Sequence, residues 1–443
     1  MSFKQTHIAR YLLISAILGH LYCWSYAASL IEIPGSFHPV GSGARAMGMG
    51  GAFMGIADDA TASSWNPAAL IHLKKPEFSL VVSYDHLQEK NHFSFYPEST
   101  GKQPVSKRSI NYFSMAFPLV ISGTNMFVAT SAQRLYSLSR HWHFPFIENT
   151  DIESYTSQHD YEQTGDLYAM GLSWCLEILQ PKLSFGITIN NWEDGLFGDE
   201  WERRYQVVSQ GIYGTIPYIE RQNTIASYSF KGHNAIIGIV WDINEKWRLG
   251  SVVKTPFNAT VNESVLKRYY FQSKVQTKDR QTKDVLLKSR LEMPLTWGFG
   301  ILYRYHENFY LAVDFYETKW HHFLMQYEGQ QICPLSGRAR NDFQLDRTYQ
   351  VRIGGEYIWI NPIQRRLIPF RVGLFYDPMP SENNGNDIYG FSLGTGWTIL
   401  DQFSIDIAYQ FRYGNDIGGH YLSNLGFSQD IRESKVYCSI ILY

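Results

Sequence analysis

From Phe403 to Arg412 apolar and polar residues alternate without a slip. Phe403, Ile405, Ile407, Tyr409 and Phe411 fall on one side; Ser404, Asp406, Ala408, Gln410 and Arg412 fall on the other. Side chains of a strand point to opposite faces with a period of two, so this segment predicts a strand with one greasy and one charged face. Such a strand suits a wall between lipid and a wet lumen better than a sandwich packed on one core. The pattern recurs at Phe78, Leu80, Val82 and Tyr84, at Leu183, Phe185, Ile187 and Ile189, and at Phe309, Leu311, Val313 and Phe315 around Asp314. Tyr349, Val351 and Ile353 oppose Gln350, Arg352 and Gly354, and Tyr389, Phe391, Leu393 and Trp397 oppose glycines and Ser392.

Along the chain the alternation predicts about 14 strands, near 77–87, 108–118, 125–137, 165–178, 182–192, 228–242, 246–260, 286–304, 308–320, 346–359, 368–377, 387–397, 403–413 and 434–443. Each is long enough to cross a bilayer when tilted. Those near 108–118 and 125–137 alternate least clearly. Connections after even-numbered strands are short (Asp242–Glu245, Tyr305–Glu307, Thr398–Gln402). Those after odd-numbered strands are long and polar: 88–107, 138–164, 193–227, 261–285, 321–345 and 414–433. Short inner turns and long outer loops are the signature of outer-membrane barrels, and the fold class expected is an all-β, transmembrane antiparallel β-barrel.

Composition supports this. Aromatics make up 16% of the 443 residues, with 30 Tyr and 12 Trp, as interfacial girdles require. A mean hydropathy of −0.25 excludes a polytopic helical protein. The formal charge of −2 argues against nucleic acid as a partner. Lys4 and Arg10, the apolar run Tyr11 to Leu21 and Ser25-Tyr26-Ala27-Ala28 predict a cleaved export signal over 1–28. Its loss removes two bases and no acid, leaving the mature chain near −4. Cys175, Cys333 and Cys438 are odd in number and widely spaced, so no disulfide framework is expected.

Between the signal and the first strand lie Gly43-Ala44-Arg45-Ala46-Met47-Gly48-Met49-Gly50-Gly51-Ala52-Phe53, then Ala57-Asp58-Asp59-Ala60, then Trp65-Asn66-Pro67-Ala68-Ala69-Leu70. The glycines predict tight turns and close packing. Asn66 before Pro67 predicts the start of a short helix, with Asn as N-cap. A ring of about 14 strands leaves a lumen, and this compact segment could fill it. The segment resembles the N-terminal hatch of the FadL family of outer-membrane transporters for long-chain fatty acids and other hydrophobic compounds. The matching residues are Gly48, Gly50 and Gly51, then Asp58 and Asp59, then Asn66, Pro67 and Ala68. Asp314 to Trp320, Gly354-Gly355-Glu356-Tyr357 and Arg371-Val372-Gly373-Leu374-Phe375-Tyr376-Asp377-Pro378 are also similar.

The resemblance implies a 14-stranded barrel over 76–443 plugged by a hatch over 29–75. It implies passive, hatch-gated transport of hydrophobic molecules, with lipid substrates and outer-membrane lipids as partners, no cofactor and a monomeric barrel. A barrel of this kind also meets the barrel-assembly machinery during biogenesis. The sequence departs from the family at its third strand, 125–137, which has no Gly or Pro where the family opens sideways. Hatch sequences of this type are also similar to those of PorV-type barrels, which anchor or shuttle proteins in secretion. A continuous apolar tunnel would favour transport; a polar, filled lumen would favour the anchor.

Other motifs weigh less. The glycine run follows no strand, so it is no nucleotide loop. Gly390-Phe391-Ser392-Leu393-Gly394 has the nucleophile-elbow spacing, but strict alternation continues through it and no strand-to-helix turn lifts Ser392. No catalytic residue is expected. His141, His143, His321 and His322 fall in outer loops beside Trp142 and Trp320, which suits interface histidines better than metal ligands. Asp58 and Asp59 are expected to cap turns or pair with a lumen arginine. Arg248, Arg352, Arg371 and Arg412 share the lumen with Asp314, Glu356, Asp377 and Asp406. They form either a salt-bridged wall that also holds the plug or, at one or two positions, a site for a fatty carboxylate head group.

The chain ends Ile441-Leu442-Tyr443, a strand closing on a terminal aromatic, which resembles the recognition signal of outer-membrane barrels. Tyr443→Asp is therefore expected to lower the amount assembled in the outer membrane, read by membrane fractionation. Tyr443 is expected on the lipid-facing side, where a charge near the interface costs only about 1 kcal/mol or less, so a large loss would report recognition rather than stability. Wild-type membrane levels would contradict the expectation.

Overall fold

The computed structural model describes residues 41–443 apart from 180–181, 199, 284–286, 328, 343, 362–365, 383–385, 400–401, 420–421 and 423–424. The expected signal lies outside the described residues. Fourteen strands form one closed antiparallel ring. In chain order they are β1 (Glu77–Phe93), β2 (Gly101–Ile121), β3 (Thr124–Ser137), β4 (Asp166–Leu179), β5 (Leu183–Asp194), β6 (Ile216–Asp242) and β7 (Trp247–Lys254). They continue with β8 (Thr296–His306), β9 (Phe309–Thr318), β10 (Thr348–Asn361), β11 (Arg366–Tyr376), β12 (Tyr389–Ile399), β13 (Phe403–Ile417) and β14 (Phe427–Leu442). Each strand pairs with its neighbours, and β1 closes on β14 from Phe78 opposite Leu442 to Phe93 opposite Phe427.

Closure satisfies the backbone on both edges, the condition for a sheet in hydrocarbon. The burial pattern is inverted relative to a water-soluble protein. Phe78, Leu80, Val82 and Tyr84 are exposed, whereas Ser79, Ser83 and Asp85 are buried. The same inversion holds across β12, where Phe391 and Leu393 face outward and Ser392 is 1% exposed. Trp241, Trp247, Trp359 and Trp397 stand outward at the end with the short turns, where Trp247 and Tyr303 approach to 4.4 Å. Tyr349, Tyr389 and Tyr413 stand outward toward the other end. Two aromatic bands around an apolar belt are the profile of a bilayer-spanning barrel.

Three sequence expectations change. First, much of what reads as long polar loops is β-structure. Arg140–Asn149, Glu153–Thr164, Glu202–Tyr213, the first half of β6, Phe257–Ser273 and Thr277–Lys283 pair in that order into an antiparallel sheet beyond the membrane. Above the bilayer the outward face meets water, so the ladder continues while the hydropathy alternation fades. Second, the long strands expected at 246–260 and 286–304 are each interrupted next to a proline, Pro256 and Pro294, which have no N–H to give. Third, Tyr443 does not face lipid. Its hydroxyl meets Ser404 Oγ at 3.0 Å and Lys75 Nζ lies 4.5 Å from its ring, so it turns to the inner rim.

The third strand, without Gly or Pro, is continuous but carries a register shift between Arg134 and Tyr136. There Gln133, Arg134, Leu135 and Tyr136 are all buried, as a bulge that breaks the alternation requires. The outer half of the lumen is filled by a cluster including Phe93, Trp142, Phe144, Trp192, Trp201, Phe230, Trp320 and Phe427. In this cap His159 accepts or donates at both ring nitrogens, to Ser157 Oγ at 2.9 Å and Tyr205 Oη at 2.7 Å. Burial, followed by repulsion from His143, pushes its pKa down to about 4.

Val372 lies outward near the middle of β11 and is 58% exposed. Val372→Arg should therefore destabilise the barrel by about 2–4 kcal/mol, read as a shift in urea unfolding in lipid vesicles. Thr156→Arg in the outer sheet serves as the control with little effect. Equal stability of the Val372 variant and wild type would remove this strand from the bilayer.

Candidate functional site: a segment docked inside the barrel

The segment from residue 41 to the start of β1 lies inside the ring. One helical turn, Ala44–Gly48, is followed by Gly50 and Gly51 at φ of 69° and 77°. Only glycine adopts such angles without strain, and here they reverse the chain against the wall. A second turn, Ala62–Trp65, leads to a 3₁₀ turn Pro67–His72 capped by Asn66, whose Oδ1 accepts from Ala68 N at 3.2 Å. The Asn66 amide also donates to Met54 O at 3.3 Å and to Ile239 O of β6 at 3.2 Å. One side chain thus caps the turn and ties it to the barrel. Ala68 O accepts from Ser184 Oγ at 2.9 Å and Cys175 Sγ at 3.2 Å.

Contact with the wall is largely backbone to backbone. A Cβ on Gly186 would collide with Pro67 and Ala68, and one on Gly238 with Asn66. One on Gly354 would sit 2.5 Å from Met49 O, and one on Gly373 would overlap Gly50. Gly48 is matched to Gly394, whose Cα would lie 3.0 Å from a Cβ on Gly48. Inward glycines on successive strands therefore leave a groove the width of a polypeptide. Side chains beside the groove then hold the segment. Ser392 Oγ donates to Gly48 O at 2.9 Å and accepts from Gly50 N at 2.8 Å. Asp314 Oδ2 accepts from Phe53 N and Met54 N, both at 2.8 Å. Glu77 Oε2 accepts from Ala60 N at 2.9 Å, Thr188 Oγ1 donates to Ser63 O at 2.8 Å, and Ala44 N donates to Ser439 Oγ at 2.6 Å.

The charged candidates also meet here. Arg45 bridges Glu356 (2.8 Å) and Asp58, while Asp59 accepts from Thr61 N at 2.8 Å as a turn cap. Arg371 lies 2.5 Å from both Glu356 and Asp406. Arg352 holds Asp377 with bonds of 2.6 and 2.8 Å and donates to Gly50 O at 3.0 Å. Arg248 pairs with Asp242 (2.5 Å) beside His72, and Arg412 with Glu433 (3.1 Å). All four lumen arginines thus hold a carboxylate, and Arg352 also holds the segment. Removing one member of such a pair strands a buried charge, which costs far more than the pair gains.

Between the segment and the aromatic cap lies a cavity of about 100 Å³. Met47, Trp65, Leu135, Trp192, Ile236, Phe257, Met293 and Trp320 give it apolar walls, with Gln133, Asn190, Lys254 and Arg352 as its polar points. Of the four arginines only Arg352 is among the lining residues. Below the cavity the level of the docked segment is filled, by the ion pairs on the wall and by a buried apolar cluster that includes Met49, Phe53, Ile56, Leu70, Val240 and Leu302. The sequence does not single out this cavity, because strands far apart in the chain converge on it. Lys254 is visible as an inward cation only once the register of β7 is known.

Ser392 is engaged by the segment's backbone. The three described cysteines are free, and His141 and His143 share Asp160 on the exposed outer sheet at 3.3 Å. Among the described residues no three His, Cys, Asp or Glu side chains group to hold a metal.

A Pseudomonas aeruginosa FadL homologue shares the fold at 14% identity and a TM-score of 0.60, over 92% of this chain and 99% of that one. The Pseudomonas putida toluene transporter TodX does so at 11% identity and 0.57, over 93% and 99%. The Ralstonia pickettii toluene transporter TbuX does so at 13% identity and 0.53, over 92% and 98%. No curated protein matches the sequence. The family model BamG matches residues 13–418. The fold is thus shared with the FadL-type barrels, and the chain itself belongs to the BamG family.

Proposed function

We propose that this barrel passes hydrophobic molecules through the outer membrane, with the docked segment as a hatch that must shift for passage. The carrying observation is the cavity with apolar walls that ends directly on residues 41–65. A molecule entering from the cap would reach Met47 and Trp65 of the segment before any exit. Long-chain fatty acids are the substrate class implied by the family resemblance, and Arg352 with Lys254 would meet the carboxylate end. In this reading residues 1–28 are the cleaved signal, 29–75 the hatch and 76–443 the barrel. The protein acts as a monomer and contacts the barrel-assembly machinery during biogenesis. Arg45 suits a latch. If it swings away, Glu356 stays paired with Arg371, and Asp58 at 41% exposure returns to water, so the ion-pair network on the wall survives.

A second reading has its own support. The level of the segment is filled, the outer half of the lumen is packed, and the family is BamG. These favour a sealed barrel that serves as anchor or partner for another protein of the outer membrane, as PorV-type barrels do, with a barrel-related partner.

One experiment separates the two. Cells depending on this protein should take up a long-chain fatty acid faster than cells lacking it. Asn66→Ala with Pro67→Ala should slow uptake severalfold at unchanged protein level, because losing the cap and its tether removes about 1–2 kcal/mol from one state of the hatch. Uptake indifferent to both, together with co-purification of a stoichiometric protein partner, would overturn transport in favour of the anchor.

A further inference from the structure

Three neighbouring strands at the seam of the ring, β14, β1 and β2, carry four cations on their outward face, with Asp430, among the described residues, the one carboxylate of those strands on the same face. Lys90, Lys102, Arg108 and Arg432 are all exposed. Register places them together. Arg108 stands opposite Tyr84, Arg432 opposite Gln88, and Lys90 between Lys102 on one side and Asp430 on the other. Among the described residues no ion pair closes on any of the four. Asp430 is the carboxylate on the outward face of these strands, and it is already occupied by His92 Nε2 at 3.1 Å and by the Asp416 N–H at 3.1 Å. Of the other acids nearby, Asp85, Glu89 and Glu433 point inward to Arg134, Arg140 and Arg412, and Asp416 is exposed beside Asp430 on β13.

Two features indicate what such a cluster is for. Like charges directly opposite on paired strands destabilise a sheet, so Lys90 facing Lys102 has a cost unless an anion lies over them. The cluster also sits where an anion would be found. It begins level with Tyr84, Tyr409 and Val436 at the upper edge of the apolar belt and runs toward the end with the long connections. From Arg108 to Lys102 is six residues, about 20 Å along a strand. A single glycerophospholipid headgroup layer is about 5–8 Å deep, too thin to meet all four cations of a tilted strand. A phosphorylated sugar headgroup is deeper and carries several negative charges.

We propose that the outward face of β14, β1 and β2 binds the phosphates of a lipopolysaccharide-type glycolipid in the outer leaflet. Arg108, level with Tyr84, meets the phosphate next to the acyl chains, and Arg432, Lys90 and Lys102, four to six residues farther along the strands, meet charges farther out. A guanidinium fork thus stands at each level, with the two ammonium groups beside the outer one. The site lies on the opposite face of the wall from the lumen and is independent of whether the hatch moves.

The test titrates the detergent-solubilised full chain with bisphosphorylated lipid A, with its dephosphorylated form and with inorganic phosphate. Wild type should bind lipid A at least about tenfold more tightly than the dephosphorylated form, with a preference that falls as salt rises, and should ignore inorganic phosphate. The variant carrying Lys90→Gln, Lys102→Gln, Arg108→Gln and Arg432→Gln should bind the two lipids alike while keeping heat-modifiable mobility. If that variant does not fold, Lys102→Gln with Arg432→Gln is measured in its place and should lose most of the preference. Equal binding of the two lipids by wild type, a full preference in the variant that folds, or competition by inorganic phosphate would each overturn the proposal.

Discussion

The architecture depends on a steric constraint: a polypeptide backbone has to lie directly against the inner wall of a sheet. A strand wall normally bristles inward with side chains, and a second chain could then pack only at side-chain distance. Glycines at 186, 238, 250, 354, 373 and 394 remove those side chains where the segment passes. The segment answers with Gly48, Gly50 and Gly51 and with alanines at 44, 46, 52, 57, 60, 62, 68 and 69, all buried. Because the backbones touch, hydroxyls and carboxylates on the same inner face, such as Ser392 opposite Gly373 and Asp314 opposite Gly300, reach the segment's N–H and C=O groups. Ser392, Asp314 and Thr188 illustrate this, and without the glycines they would be out of range. Glycine weakens a strand, so this arrangement costs barrel stability that closure of the ring must offset.

The electrostatics follow from the same geometry. Asp314 and Arg352 are directly opposite in the register of β9 and β10. They nevertheless do not form the pair that position suggests. Asp314 gives its Oδ2 to two N–H groups of the segment, and Arg352 turns to Asp377 and to Gly50 O. The docked backbone has thus reassigned a wall pair, and the wall is incomplete without it. Buried groups of this kind contribute little net stability when satisfied and are costly when abandoned. A lumen built this way favours one docked state sharply, whether the barrel conducts or anchors. Above it the aromatic cap and the outer sheet surround the outer lumen, and burial within them keeps the pKa of His159 low.

The parts of the fold readable from sequence are those set by local or lipid-facing chemistry. Phe403 to Arg412 is plain because hydrocarbon on one side and a wet lumen on the other impose strict alternation. Asn66 and Pro67 are readable because a cap is decided within three residues. The outer sheet was not readable. Glu153–Thr164 alternates Tyr, Ser and His inward against Thr, Gln and Asp outward, a contrast too weak to separate from a polar loop. The glycine groove was not readable either, since each glycine alone argues against a strand, and only the register of distant strands makes them a set. The lumen ions were legible as a group, but their partners were not, as Asp314 and Arg352 demonstrate.

Replacing a single inward glycine tests the central claim most directly. Gly373→Val places a branched side chain where Gly50 lies, while Gly355→Val faces outward, with Leu311 Cδ2 at 3.5 Å as its nearest contact. In planar bilayers Gly373→Val should raise single-channel conductance and expose residues 41–72 to protease, with the ring still closed and heat-modifiable. Gly355→Val should match wild type in both. Equal conductance and protection of the two variants would contradict the account, since the segment would then not depend on backbone contact with the wall.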